Sequence, residues 1–82
     1  MVTFPELRAL IAKYGLGQED MGKLIGCSYQ TFGSKLRCTS KFTYKDMLVI
    51  YDFFTGKGEE ITMDKLFFEW QFTKVNHEKE VL

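Results

Sequence analysis

The sequence predicts an all-α fold: a compact domain of four to five short helices. Three observations carry that prediction. Helix starts recur as Thr or Ser caps at Thr3, Ser28, Thr43 and Thr62, with an acid three residues on at Glu6 and Asp46. Apolar residues then repeat at helical spacing. The single proline, Gly15 and Gly26 stand at the ends of these patterns rather than inside them.

Taken in order, "VTFPELRALIAKYG" opens the chain. Thr3 is placed to cap with Glu6, and Pro5 falls in the first turn, where its missing N–H costs nothing. Val2 and Leu7 have the spacing of a hydrophobic staple. Leu7, Leu10, Ile11 and Tyr14 form the apolar face, and Gly15 ends the helix. Gln18 to Ile25 is a second helix with Met21, Leu24 and Ile25 apolar. Ser28 to Leu36 is a third, capped by Ser28, with Phe32 and Leu36 on one face. At "FTYKDMLVIYDFFTG", Thr43 caps, Asp46 answers, and Tyr44, Met47, Leu48, Tyr51 and Phe54 form a broad apolar face. At "ITMDKLFFEW", Thr62 caps and Met63, Leu66 and Phe67 face inward. The last stretch, "FEWQFTKV", alternates. Phe68, Trp70 and Phe72 lie on one side, a period of two that predicts a short C-terminal β-strand from about Phe68. The rival is a continued helix carrying Met63, Leu66, Phe67 and Trp70.

A chain of 82 residues is one small domain. Eight Phe, four Tyr and one Trp make an aromatic core. No segment approaches the roughly 20 apolar residues of a membrane span, and the start lacks the marks of a signal peptide, so the expected location is the cytoplasm. Cys27 and Cys38 have neither metal spacing nor a disulfide framework around them and are expected as thiols. The zero net charge hides an asymmetry. Residues 1–45 hold Arg8, Lys13, Lys23, Lys35, Arg37, Lys41 and Lys45 against three acids, and residues 46–82 reverse the balance with eight acids against four lysines. A basic front points to a polyanionic partner there.

The glycine at 26 divides two good helical patterns. Only glycine takes a left-handed backbone there without strain, and a sharp inter-helix turn needs one. Gly22, one helical turn earlier, has no side chain and lets the next helix cross closely. Together with "SYQTFGSKL", this arrangement resembles the helix-turn-helix of the lambdoid-type phage repressors and Cro proteins, over about residues 5–67. It is most similar to small prophage Cro-like or CI-like repressors, whose recognition helix has the form S-x-x-T-[LF]-x-x-K-L. Gln18, Gly22, Gly26, Ser28, Thr31 and Phe32 fall where that pattern wants them. Gly17 stands at a usual Thr or Ser cap, Gly22 at a usual Ala, and Lys35 at a position often aliphatic.

The resemblance implies a lambda-repressor-like DNA-binding domain over residues 1–67, with 68–82 as a C-terminal extended segment and tail. In such a domain the second motif helix enters the major groove and its N-terminal residues meet base edges. Tyr29, Gln30, Gly33 and Ser34 are then the expected base contacts, since Phe32 and Leu36 must face inward. Gln30 has the amide that pairs with adenine. Gln18, Ser28, Thr31, Lys35, Arg37, Lys41 and Lys45 are the expected contacts to the DNA backbone. One module this small buries too little for tight specific binding, so a homodimer on the operator is expected, with Phe68, Trp70 and Phe72 at its interface. Alternatively, Trp70 closes the monomer core.

The sequence therefore predicts a sequence-specific transcriptional regulator that represses by occupying a double-stranded DNA operator. The alternative is a protein-binding module on the same fold that antagonises another repressor. An enzyme is not expected: His77 is the one histidine, and no phosphate loop, metal spacing or nucleophile pair occurs. No metal, cofactor, small-molecule ligand or membrane partner is expected.

Overall fold

The computed structural model describes residues 2–71. They form α1 (Pro5–Lys13), α2 (Gln18–Ile25), α3 (Tyr29–Leu36), α4 (Tyr44–Gly56) and a fifth helix, α5, over 63–71. The domain is all-α, with no strand among the described residues.

Local capping explains three of the helix starts. Ser28 Oγ accepts from the Thr31 N–H at 3.1 Å. Thr43 and Asp46 form a reciprocal box, each side chain accepting the other's backbone N–H at 3.0 Å. Thr62 Oγ1 accepts from the Lys65 N–H at 3.1 Å. Gly15, at φ 65°, terminates the first helical run.

The N-terminus departs from expectation. Thr3 does not cap α1. The residue before the helix is Phe4, in a left-handed conformation (φ 48°, ψ 55°), and no side chain caps the helix. Thr3 Oγ1 instead donates to the Leu36 carbonyl at the end of α3. Arg8 Nε donates to the Thr3 carbonyl at 2.6 Å, and Arg8 Nη2 reaches Thr3 Oγ1 at 3.0 Å and the Leu36 carbonyl at 3.3 Å. A carbonyl at a helix C-terminus has no intrahelical partner, and a cation beside it is favourable. That distant acceptor outcompetes the local cap. Val2 is exposed, so the staple to Leu7 does not form. The left-handed Phe4 costs about 1–2 kcal/mol. Its buried ring offsets this by packing edge-on against Phe42, Phe67 and Trp70, with centroids 5.2, 6.2 and 5.0 Å away.

The C-terminal expectation also changes. The alternation predicted an extended strand from about Phe68, but the chain stays helical through Gln71, and Phe72 lies outside the described residues. Along Asp64–Phe68 the winding widens, with the Glu69 N–H donating to the Asp64 carbonyl five residues back. Gln71 Nε2 donates to the Phe67 carbonyl at 2.8 Å. The helix wins because it carries Leu66, Phe67 and Trp70 to one side, where Trp70 meets the Phe4 ring.

Leu7, Leu10, Met21, Phe32, Leu36, Ile50, Phe54, Leu66 and Phe67, with Phe4, form the buried core. On α4 Ile50 and Phe54 are both fully buried, while Tyr44, in the first turn, is exposed. A polar fastening joins the end of α1 to the segment after α4. Glu59 Oε2 accepts from both Lys13 Nζ and, at 2.6 Å, Tyr14 Oη. Both cysteines are free thiols. No helix among the described residues is long and apolar enough to cross a membrane.

Candidate nucleic-acid interface

The turn between α2 and α3 is built as its glycines demand. Gly26 is left-handed, at φ 81° and ψ 34°, and caps α2 by donating its N–H to the Gly22 carbonyl. A Cβ on Gly22 would stand 2.6 Å from the Cys27 carbonyl oxygen and 3.0 Å from that of Ser28. Those are backbone atoms of the turn itself, so the missing side chain sets how closely α3 follows α2.

Phe32 and Leu36 face inward and are buried. Away from that face α3 exposes Gln30, with Arg37 just past the C-terminus, and Tyr29, the first residue of the helix, is 54% exposed. Ser34 is half-buried. Tyr29, Gln30 and Arg37 thus lie on the solvent side, as the sequence pattern has it. Ser28 and Thr31 sit at the N-terminus of α3 with their hydroxyls 3.1 Å apart, Ser28 Oγ donating to Thr31 Oγ1.

Two expected contacts stand elsewhere. Gly33 does not offer an open backbone to a base: it is buried beneath other side chains. A Cβ there would lie 2.5 Å from Gln18 Oε1 and 3.0 Å from Arg37 Nη1. Lys35 does not point to a flanking phosphate. Its ammonium is paired with Asp46, and the two side chains are only 13% and 11% exposed. Pairing wins because Asp46 is a largely buried carboxylate at the start of α4, and a buried charge needs a partner. Burial disfavours its charged form, but hydrogen bonds from Lys35 and the Thr43 N–H outweigh that and hold its carboxyl below the usual range. Asp46 therefore joins the cap of α4 to the last turn of α3.

The remaining cations sort by what already holds them. Lys13 is paired with Glu59, Lys23 with Glu19, and Arg8 is engaged at the end of α3. Arg37, Lys41 and Lys45 make no ion pair with any described residue, and all three are exposed. They lie between the end of α3 and the first turn of α4. Gln18, at the start of α2, is exposed and lies over Gly33.

The expected dimer residues divide. Phe68 is 38% exposed, Trp70 packs on Phe4, and Phe72 lies outside the described residues. A concavity of about 310 Å³ is lined by Phe4, Phe42, Met47, Phe67, Phe68 and Trp70, with Cys38, Lys41 and Gln71. The indole N–H of Trp70 is buried with no acceptor among the described residues. Among those residues no three His, Cys, Asp or Glu side chains gather as a metal site.

The lock between Thr3, Arg8 and Leu36 escaped the sequence pattern. Its members are separated along the chain, and no short-range signal links a Thr before α1 to a carbonyl closing α3. Compared with known proteins, the chain matches no family model, no curated protein and no solved structure.

Proposed function

We propose that the chain is a sequence-specific DNA-binding regulator. It acts in the cytoplasm and represses by occupying a double-stranded operator, in the manner of a phage or prophage Cro-like repressor. One observation carries this reading. A glycine-closed two-helix turn holds α3 with Tyr29 and Gln30 outward, and the front-half cations without partners, Arg37, Lys41 and Lys45, gather beside its C-terminal end. That is the layout of a recognition helix: polar groups to read base edges, with cations alongside for phosphates. The resemblance of "SYQTFGSKL" to a Cro-like recognition helix supports the same reading.

The operator is bound by a homodimer, because one α3 spans too few base pairs for tight specific binding. Phe68 is the exposed aromatic beside the apolar concavity and the centre of the proposed dimer contact. Trp70 supports that surface from beneath through Phe4.

The test begins by selecting a binding site from random duplexes. Gln30→Ala is then compared with wild type on the selected site and on random DNA. A loss of about 1–3 kcal/mol confined to the selected site supports base reading. An equal loss on both, or none on either, removes Gln30 from that role, and a wild-type chain that retains no duplex refutes the regulator.

A further inference from the structure

We propose that Arg37 reads a guanine in the major groove, steadied by Gln18 across Gly33. The proposal rests on α3 being the DNA-reading helix. By position alone, a cation just past a helix end belongs to the flanking phosphates or to the helix's own last carbonyls. The geometry points elsewhere. Arg37 is the C-cap of α3, yet its guanidinium runs back one turn, so that Nη1 stands 3.0 Å from where a Cβ at residue 33 would be. Gln18 Oε1, from the first residue of α2, lies 2.5 Å from the same point.

Position 33 thus has no side chain of its own. It carries in its place an amide oxygen from another helix and a guanidinium from the same one. The amide oxygen is an acceptor beside a cation, so it favours this folded-back placement. The guanidinium has five donors in a planar fork, and none of them is held by an ion pair among the described residues. The fork therefore lies on the face that also carries Tyr29 and Gln30, not at the flank of the helix. A planar fork directed at base edges matches guanine O6 and N7, the pairing that arginine makes most often in the major groove. Lys41 and Lys45, compact charges on flexible stems beyond α3, suit phosphates. Gly33 is then a positioning residue for specificity: any side chain there displaces both Gln18 and Arg37.

The experiment uses the full chain and a duplex selected from a random pool. Wild type is expected to select a fixed G·C pair in each half-site. Arg37→Lys keeps the charge and loses the fork. It should bind the selected duplex on the order of 10- to 100-fold more weakly, while binding to random duplex stays nearly unchanged. Replacing that guanine with 7-deazaguanine, which lacks the N7 acceptor, should weaken wild type and leave Arg37→Ala, which has no donor there, unaffected. Gly33→Ala, shown to be folded by its thermal melt, should lose the same discrimination. Wild-type insensitivity to 7-deazaguanine, or an Arg37→Lys that binds selected and random duplex as wild type does, overturns this assignment while leaving DNA binding intact. A wild-type chain that binds no duplex overturns the regulator and this assignment together.

Discussion

Gly22 and Gly33 occupy the same place in two helices of equal length, the fifth residue of eight in α2 and in α3. Alanine at either site should therefore gain the same helix propensity, about 1 kcal/mol over glycine. What differs is what the new methyl meets. At 33 it meets the ends of Gln18 and Arg37, which can swing away, so Gly33→Ala should stabilise the fold by about 0.5–1 kcal/mol. At 22 it meets the Cys27 and Ser28 carbonyl oxygens and the Ser28 carbonyl carbon, at 2.6, 3.0 and 3.1 Å. These are backbone atoms of the turn, so α3 must shift, and forcing an extra methyl into such a contact costs about 1–3 kcal/mol. The propensity terms cancel in the comparison and leave the clash. For a domain of this size each kcal/mol moves Tm by about 4–8 °C, so the two variants should melt roughly 5–20 °C apart, with Gly33→Ala higher. Thermal and urea melts of both variants beside wild type measure this. Coincident melting, or Gly22→Ala the more stable, would refute the argument that backbone contact at the turn fixes the α2–α3 crossing.

Acid should loosen the fold at two identified points. The carboxyls of Asp46 and Glu59 are held below their usual values. Burial of Asp46 is outweighed by its bonds from Lys35 and Thr43, and Glu59 is held by hydrogen bonds from Lys13 and Tyr14. A carboxyl with a depressed folded pKa stabilises above its unfolded value, about 4, and that contribution is lost as pH falls through the folded value. Urea midpoints should therefore drop below about pH 4, and less steeply in Asp46→Asn; an identical acid profile in that variant argues against the role of Asp46. The salt dependence of DNA binding should reflect Lys41 and Lys45 rather than Lys35. Lys41→Ala and Lys45→Ala should each lower the log–log slope by about 0.9 per protomer, whereas Lys35→Met should leave it unchanged and lose about 1–3 kcal/mol of stability. A flattened slope in Lys35→Met would put that lysine back on a phosphate. Phe68→Ser replaces a ring that is 38% exposed, so stability should fall by no more than about 1–2 kcal/mol while cooperative operator binding weakens. Unchanged cooperativity in a gel shift would place the dimer contact elsewhere.

The sequence was legible wherever the deciding interaction is local. Thr43 with Asp46, Ser28 with Thr31 and the left-handed Gly26 each depend on neighbours within four residues, and each stands as the pattern implies. The departures share one physical cause: helical or alternating periodicity assigns a residue to a face but does not name what lies against it. Thr3 has good cap spacing, yet the Leu36 carbonyl takes its hydroxyl. The run from Phe68 to Phe72 fits a strand, but Trp70 also fits a helix begun at Met63, and the ring of Phe4 decides between them. Gly33 falls on the outer face of α3, where Gln18 and Arg37 cover it. Lys35 falls at the edge of that face, where Asp46, already needed by its own helix, claims the charge. This last capture bears on function. Of the seven front-half cations Lys35 is buried in its pair, Lys13 and Lys23 each sit beside an acid, and Arg8 is spent on the N-terminal lock, so the charge with no neighbouring acid is confined to residues 37–45. A basic front spread over half the chain would attract DNA without regard to register. On the proposed reading, Lys41 and Lys45, beyond the C-terminal end of α3, fix which end of that helix meets the phosphates, and so leave Tyr29, Gln30 and the folded-back Arg37 to meet the bases.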